Sequence, residues 1–322
     1  MPLELDPELA AVLAVLSAGY EQPPPPALGD VATRRATVGE GIRHLSGPTP
    51  DGVTTTDYFA TAADGHKILL RLYQPESAKS DDNLSPLLYY IHGGGMILGS
   101  VDIYNSIVAK YAVQTGVPFL SVDYRLAPEH PYPTPVDDCC AGLAWLAEHT
   151  AELGVAADRV AIMGDSGGGG LAMATTLRLR ERKCQLTPSM LILLAPMLDD
   201  RTVEADKHLE KVVSWSGVDN QTGWMALLGS LKGEDVPATA SPARMTDEDL
   251  GRLPPMYMDV GALDLFRDET VQLASRATKA GVSVELHVYP GCTHGFDLFA
   301  PRAGVSQQAV ANRIRAIERW AE

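Results

Sequence analysis

The residues with the clearest capacity for chemistry are in Gly164-Asp165-Ser166-Gly167-Gly168, which follows the apolar run Val160 to Met163 and precedes a helical stretch ending in basic residues. The pentamer fits G-x-S-x-G, where glycines on both sides let the chain turn sharply enough to present a serine oxygen above a sheet. A glycine-rich turn before a helix can instead be an anion site or a plain loop. No lysine follows as a phosphate loop requires, and the spacing is not that of a dinucleotide-binding turn. Ser166 is therefore the candidate nucleophile. A serine hydroxyl attacks at neutral pH only if a histidine takes its proton and a carboxylate holds that histidine in place.

Two histidines lie well beyond the elbow. His287 alternates within the run Val284 to Tyr289 and reads as structural, whereas His294 sits in the loop Gly291 to Phe296 just past that run and is the candidate base. Asp264 follows the run Met256 to Val260 in a strand-end loop and is the expected orienting acid. Asp259 inside that run and Asp268 in the next helix are its rivals. Attack on an ester places negative charge on the former carbonyl oxygen, and each pre-aimed backbone N–H stabilises it by about 3 to 4 kcal/mol. His92-Gly93-Gly94-Gly95 follows the run Leu87 to Ile91 and suits that task. The expected donors are Gly93, Gly94 and Gly167, with His92 organising the loop; the alternative is a glycine turn without a catalytic role.

The elements that must position these groups are strands Leu87 to Ile91, Phe119 to Asp123, Val160 to Met163, Met190 to Leu194, Met256 to Val260 and Val284 to Tyr289. Their runs are continuously apolar, as in a parallel sheet buried on both faces, and helical segments separate them, which predicts a layered α/β fold. Leu9, Val12, Leu13 and Leu16 recur at helical spacing behind Asp6 and Pro7, an expected N-cap and first-turn proline. Pro23 to Pro26 should end that helix. Residues 199–250 carry charge clusters and two tryptophans without a strand-like run, and read as an insertion. The expected organisation is an N-terminal helical segment 1–50, a catalytic domain of 51–198 and 251–322, and an inserted segment 199–250.

The chain has 322 residues, 45% hydrophobic and 21% charged, with a mean hydropathy of −0.03, the balance of a globular protein with a large core. Twenty-six Lys and Arg against 41 Asp and Glu leave a net charge of −15. Such a charge repels nucleic acid and anionic membranes and suits a neutral or cationic small substrate. No run approaches the roughly 20 apolar residues of a membrane span. The acidic opening MPLELDPE lacks the basic region of a secretory signal, so the expected location is cytoplasmic. Cys139, Cys140, Cys184 and Cys292 lack metal-ligand spacing and read as buried free thiols.

With these residues in place, the chain resembles the hormone-sensitive-lipase-like family of α/β hydrolases, esterases marked by HGGG and a GDSAGG-type elbow. Tyr124-Arg125-Leu126-Ala127-Pro128-Glu129 matches a segment characteristic of that family, Asp264-Leu265-Phe266-Arg267-Asp268 is similar to its D-P-L-R-D, and His294-Gly295-Phe296 completes the set. Two departures are Gly167 for the usual Ala, which keeps the N–H donor, and Leu265 for the usual Pro. The resemblance implies an α/β-hydrolase fold with a mostly parallel sheet, and a helical cap from the N-terminus and the insertion. It also implies a Ser166-His294-Asp264 carboxylesterase acting on small-molecule esters of short to medium acyl length, with no cofactor and no metal, and with a second copy of the chain as an expected partner. Trp215 and Trp224 would line the substrate pocket. An amidase or lactone hydrolase would use the same groups. A receptor of this superfamily would lack the histidine that stands here as His294.

Overall fold

The computed structural model describes residues 4–18, 24–78, 84–203 and 214–322. Its frame is one eight-stranded sheet: β1 (Val53–Thr61), β2 (Lys67–Pro75), β3 (Ser85–Ile91), β4 (Phe119–Val122), β5 (Val155–Asp165), β6 (Leu191–Leu194), β7 (Met256–Gly261) and β8 (Val284–Tyr289). The spatial order is β1-β2-β4-β3-β5-β6-β7-β8. Strands β3 to β8 pair in parallel, whereas β2 runs antiparallel to both β1 and β4.

The helices are α1 (Pro7–Ser17), α2 (Val31–Arg34), α3 (Glu40–Ser46), α4 (Val101–Thr115), α5 (Thr134–Leu153), α6 (Gly167–Glu181), α7 (Gly217–Leu228), α8 (Asp247–Leu250), α9 (Arg267–Lys279), α10 (Phe296–Phe299) and α11 (Gly304–Ala321). Successive side chains of β3 show why the strand runs are apolar throughout. Leu87, Tyr89 and Ile91 join a core built with α5, α6 and α9, while Leu88 and Tyr90 join a second core with α4 and α11. Both faces of the strand are dry, so no polar alternation survives. Each such buried aliphatic side chain contributes about 1.5 to 3 kcal/mol.

The six expected strands are all present, and β1 and β2 add a hairpin to them. In β1 most side chains, including Thr54, Thr55, Thr56 and Asp57, face water, so it lacks the apolar run that marks its neighbours. Asp64-Gly65 makes the turn, with Gly65 at φ 86°.

Helix α1 forms as expected, with the Asp6 carboxylate accepting from the N–H groups of Glu8 and Leu9 at 2.9 and 3.3 Å. Leu9 is buried, but Leu16 is about half exposed. Pro23 lies outside the described residues, as do 204–213 of the expected insertion. The connection from β6 to β7, which contains the expected insertion, is tied to itself near both ends. The Ala243 N–H and the Ser241 hydroxyl donate to the Leu198 carbonyl at 3.0 and 3.1 Å, and Arg244 grips Asp200 at 2.6 and 2.8 Å. Buried Glu269 of α9 accepts from the N–H groups of Leu198 and Asp199 and from the Thr202 hydroxyl. Fully buried Arg34 joins the N-terminal segment to the insertion, pairing with Asp219 of α7 at 2.8 Å and donating to the carbonyls of Pro26, Ala27 and Asp30.

All four cysteines are free thiols, and Cys184 differs from the expectation in being only partly buried. Among the described residues no helix is long and apolar enough to cross a membrane.

Candidate active site

Where a parallel sheet changes its winding direction, the carboxyl ends of neighbouring strands leave a crevice. Here the chain runs from β3 out to β4 on one side, then returns to β5 on the other. Ile91 and Gly164 are paired in register, so the loops after β3 and β5 emerge side by side. The first loop carries His92 to Gly95 and the second carries Ser166.

Ser166 stands at φ 54° and ψ −121°, a conformation that costs a non-glycine residue energy and survives only where its surroundings enforce it. Its N–H donates to the Leu194 carbonyl at 2.8 Å, and its own carbonyl accepts from Gly170 and Met197 at 3.1 and 2.9 Å. The turn is so tight that a Cβ on Gly164 would stand 2.5 Å from the Gly168 carbonyl carbon. That approach explains the glycines of the motif.

The loops after β7 and β8 bring the other two groups. His294 Nε2 lies 3.0 Å from Ser166 Oγ, and His294 Nδ1 lies 2.8 Å from Asp264 Oδ2. The second Asp264 oxygen accepts from the Phe266 N–H at 2.9 Å, and the Phe266 ring meets the imidazole edge-on at 5.2 Å. Both Asp264 oxygens are engaged, one by the Phe266 N–H and the other by His294 Nδ1; with Nδ1–H donating to the carboxylate, the Nε2 lone pair faces the serine hydroxyl. Burial pulls the His294 pKa down, but the charge and hydrogen bond of Asp264, with Asp165 and Asp297 behind, outweigh it and hold the pKa above the ordinary 6.5.

The rival residues are engaged elsewhere. Asp259 accepts from Arg313 at 2.6 and 3.1 Å and from the Tyr257 hydroxyl at 3.0 Å. Asp268 pairs with its neighbour Arg267 at 2.7 Å, and His287 with Glu285 at 2.8 Å.

The glycine loop is ordered one carbonyl at a time. In a planar trans peptide the C=O of one residue and the N–H of the next point in opposite directions, so fixing a carbonyl aims the following N–H. His92 Nδ1 holds the Gly93 carbonyl at 2.8 Å and so aims Gly94 N–H. The N–H groups of Ile97 and Leu98 both hold the Gly94 carbonyl at 3.1 Å and so aim Gly95 N–H. The His92 ring is stacked on Tyr124 at 4.2 Å, whose hydroxyl donates to the His92 carbonyl at 2.9 Å.

Gly95 is the loop residue pressed against Gly167, the residue after the serine: a Cβ on Gly167 would stand 2.8 Å from Gly95 N. Gly93, one of the expected donors, is packed against Asp165 and the Tyr104 hydroxyl, which stands 2.8 Å from its Cβ position. The order of glycines in the sequence does not say which carbonyl each neighbour will hold.

Trp215 and Trp224 are both buried in the main core. Trp215 covers the outer side of the glycine loop, its ring 2.7 Å from where a Gly95 Cβ would be. The Ser214 hydroxyl donates to the His294 carbonyl at 2.6 Å, a contact with no signal in the sequence.

A nucleophile, base and acid in hydrogen-bonded line above the carboxyl ends of a parallel sheet define the serine-hydrolase class of α/β proteins. This chain belongs to the α/β-hydrolase fold family, whose model matches residues 87–298. It is similar to esterase LipI of Mycobacterium tuberculosis, at 32% identity over 77% of this chain and 76% of that one. It is similar to ethyl acetate hydrolase of Pseudomonas putida, at 30% identity over 91% and 92% of the two chains. Among solved structures it resembles a bacterial heroin esterase, with a TM-score of 0.86 and 34% identity over 99% of this chain and 98% of that one.

Proposed function

We propose that the chain is a carboxylic ester hydrolase in which Ser166, His294 and Asp264 carry out acyl transfer beneath the N–H groups of Gly94, Gly95 and Gly167. The single observation supporting this most is the line Asp264 Oδ2, His294 Nδ1, His294 Nε2, Ser166 Oγ, with gaps of 2.8 and 3.0 Å and the serine held at positive φ. His294 Nε2 takes the hydroxyl proton as Oγ bonds to the carbonyl carbon. The oxyanion is held by the loop and elbow amides, and on collapse His294 returns the proton to the leaving alkoxide. Water then attacks the acyl-enzyme, again giving its proton to His294, which returns it to Ser166 Oγ as the bond from Oγ to the acyl carbon breaks and the acid leaves. The names of the relatives favour small esters over amides, and a poised His294 disfavours a receptor without turnover.

The N-terminal segment and the insertion are read as one cap, since Arg34 and Asp219 join them and Gly29 N–H donates to Thr222 Oγ1 at 3.1 Å. Trp215 is read as its contact with the site, and the preference as short to medium acyl chains. The test is hydrolysis of p-nitrophenyl esters of increasing acyl length by wild type and Ser166→Ala. A maximum at short chains that disappears in the variant is expected, with turnover down by several orders of magnitude. Full activity in the variant, or turnover of anilides but not esters, would refute it.

A further inference from the structure

Arg35 stands in a five-residue π-helical turn that follows α2 directly. Its neighbour Arg34 turns into the cap, while Arg35 reaches into the catalytic domain. Arg35 Nε donates to the Ile97 carbonyl at 2.6 Å, Nη2 donates to the Ala127 carbonyl at 3.0 Å, and both terminal nitrogens grip the Glu129 carboxylate at 2.7 Å. Arg35 thus spends its hydrogen bonds on the segment behind the glycine loop rather than on its own helix.

We propose that Arg35 is a positioning residue for the oxyanion hole, acting through a chain of hydrogen-bonded peptides that ends at Gly95 N–H. The chain can be traced atom by atom. The guanidinium holds the Ile97 carbonyl, and across that peptide Leu98 N–H donates to the Gly94 carbonyl at 3.1 Å. Across the Gly94–Gly95 peptide lies the N–H of Gly95, the loop residue in contact with Gly167. Each bond in such a chain polarises the next, and a cation at its head strengthens every donor down to the last.

A parallel tie fixes the same turn: Ala127 N–H donates to the Met96 carbonyl at 3.0 Å, and Arg35 holds Ala127 from the carbonyl side. Ile97 and Ala127 are fully buried, so the guanidinium, itself one-third exposed, is the side chain that covers these carbonyls. The N-terminal segment is then part of the catalytic apparatus and not only a cover.

This inference rests on the proposed acyl-transfer reading, so its test must separate the two. Wild type, Arg35→Met, Arg35→Lys and Glu129→Gln are compared for kcat and KM on p-nitrophenyl acetate, for inhibition by an aryl trifluoromethyl ketone, and for melting temperature. The ketone adds Ser166 and places an oxyanion in the hole, whereas KM reports mainly the neutral ester.

Loss of a whole oxyanion donor costs about 10² to 10³ in kcat, and a donor displaced rather than deleted should cost less, so Arg35→Met is expected to lose about 10- to 100-fold. KM should stay within about threefold and ketone affinity should fall with kcat. Arg35→Lys, which keeps the charge but not the fork, should recover part of both. Glu129→Gln, which breaks the ion pair and leaves the Ile97 bond, should lose little. If Arg35→Met does not fold, the parallel fall of kcat and ketone affinity in Arg35→Lys carries the test.

Unchanged kcat in Arg35→Met, or a fall in kcat with ketone affinity intact, overturns the proposal. A wild type that neither turns over esters nor binds the ketone overturns the acyl-transfer reading itself.

Discussion

Gly167 is the point at which this chain leaves the GDSAGG pattern, and the geometry around it makes restoring alanine costly. A methyl there would stand 2.8 Å from Gly95 N, 2.8 Å from Met96 Sδ and 2.9 Å from Gly95 Cα, against the roughly 3.5 to 4.0 Å of a relaxed contact. The sulfur could swing aside, but the backbone of Gly95 has nowhere to go. Trp215 lies against its other face, and Gly223 of α7 sits so close that its own Cβ would be 2.9 Å from the Gly95 carbonyl. Gly167 has an ordinary helical φ, so alanine brings no backbone strain and would gain about 0.4 to 1 kcal/mol by restricting the unfolded chain. Overpacking of a tight core site costs about 1 to 3 kcal/mol, so the net effect on stability is a loss of about 1 to 2 kcal/mol. The effect on rate should be larger in proportion, because the atom pushed away carries an oxyanion donor. A kcat about 10- to 100-fold below wild type is expected, short of full donor loss. Steady-state hydrolysis of p-nitrophenyl acetate, with urea unfolding on the same preparations, measures both quantities. A Gly167→Ala enzyme with kcat within twofold of wild type and an unmoved midpoint would refute a glycine loop clamped between elbow and cap.

Three further outcomes follow from the same contacts. Protonated His294 cannot accept the serine proton, so kcat/KM should fall as pH drops through a His294 pKa above 6.5; Asp264→Asn removes the largest of the charges that raise it and should move the limb to lower pH with a plateau about 10⁴ lower. A pH–rate profile in which the limb stays put would contradict the assignment of Asp264. Trp215→Ala should lower stability by about 3 to 5 kcal/mol and kcat with it, since Gly95 loses its backstop, while Trp215→Phe should keep most of both; urea unfolding beside kinetics decides this. Fully buried Asp138 holds the Arg125 side chain at 2.8 and 2.7 Å and the Arg125 N–H at 3.0 Å, so Asp138→Ala should cost about 3 to 5 kcal/mol, and an unchanged denaturation midpoint would show the pair to be dispensable.

How much of this was legible in the sequence depended on whether a residue's task is local. The runs that became β3 to β8 could be read because burial on both faces leaves a continuous apolar signature. The β1–β2 hairpin could not, since β1 turns mainly threonines and aspartate to water; its one strong mark, Asp64-Gly65, is a turn signal rather than a strand signal. Ser166, Asp264 and His294 could be found because each must sit at a strand end in a motif of its own. Gly95, one of the proposed donors, was not singled out although its motif was recognised. Where each glycine N–H points depends on which carbonyls His92, Ile97 and Leu98 hold, and those partners are assembled only by the fold. Arg35 lies further still from any motif, since its partners Ile97, Ala127 and Glu129 are 62 to 94 positions away along the chain. A guanidinium can serve four acceptors on two distant segments only after those segments have met. The groups that break bonds are therefore announced by short patterns, and the groups that aim them are visible only once the hydrogen bonds of the folded chain have been counted.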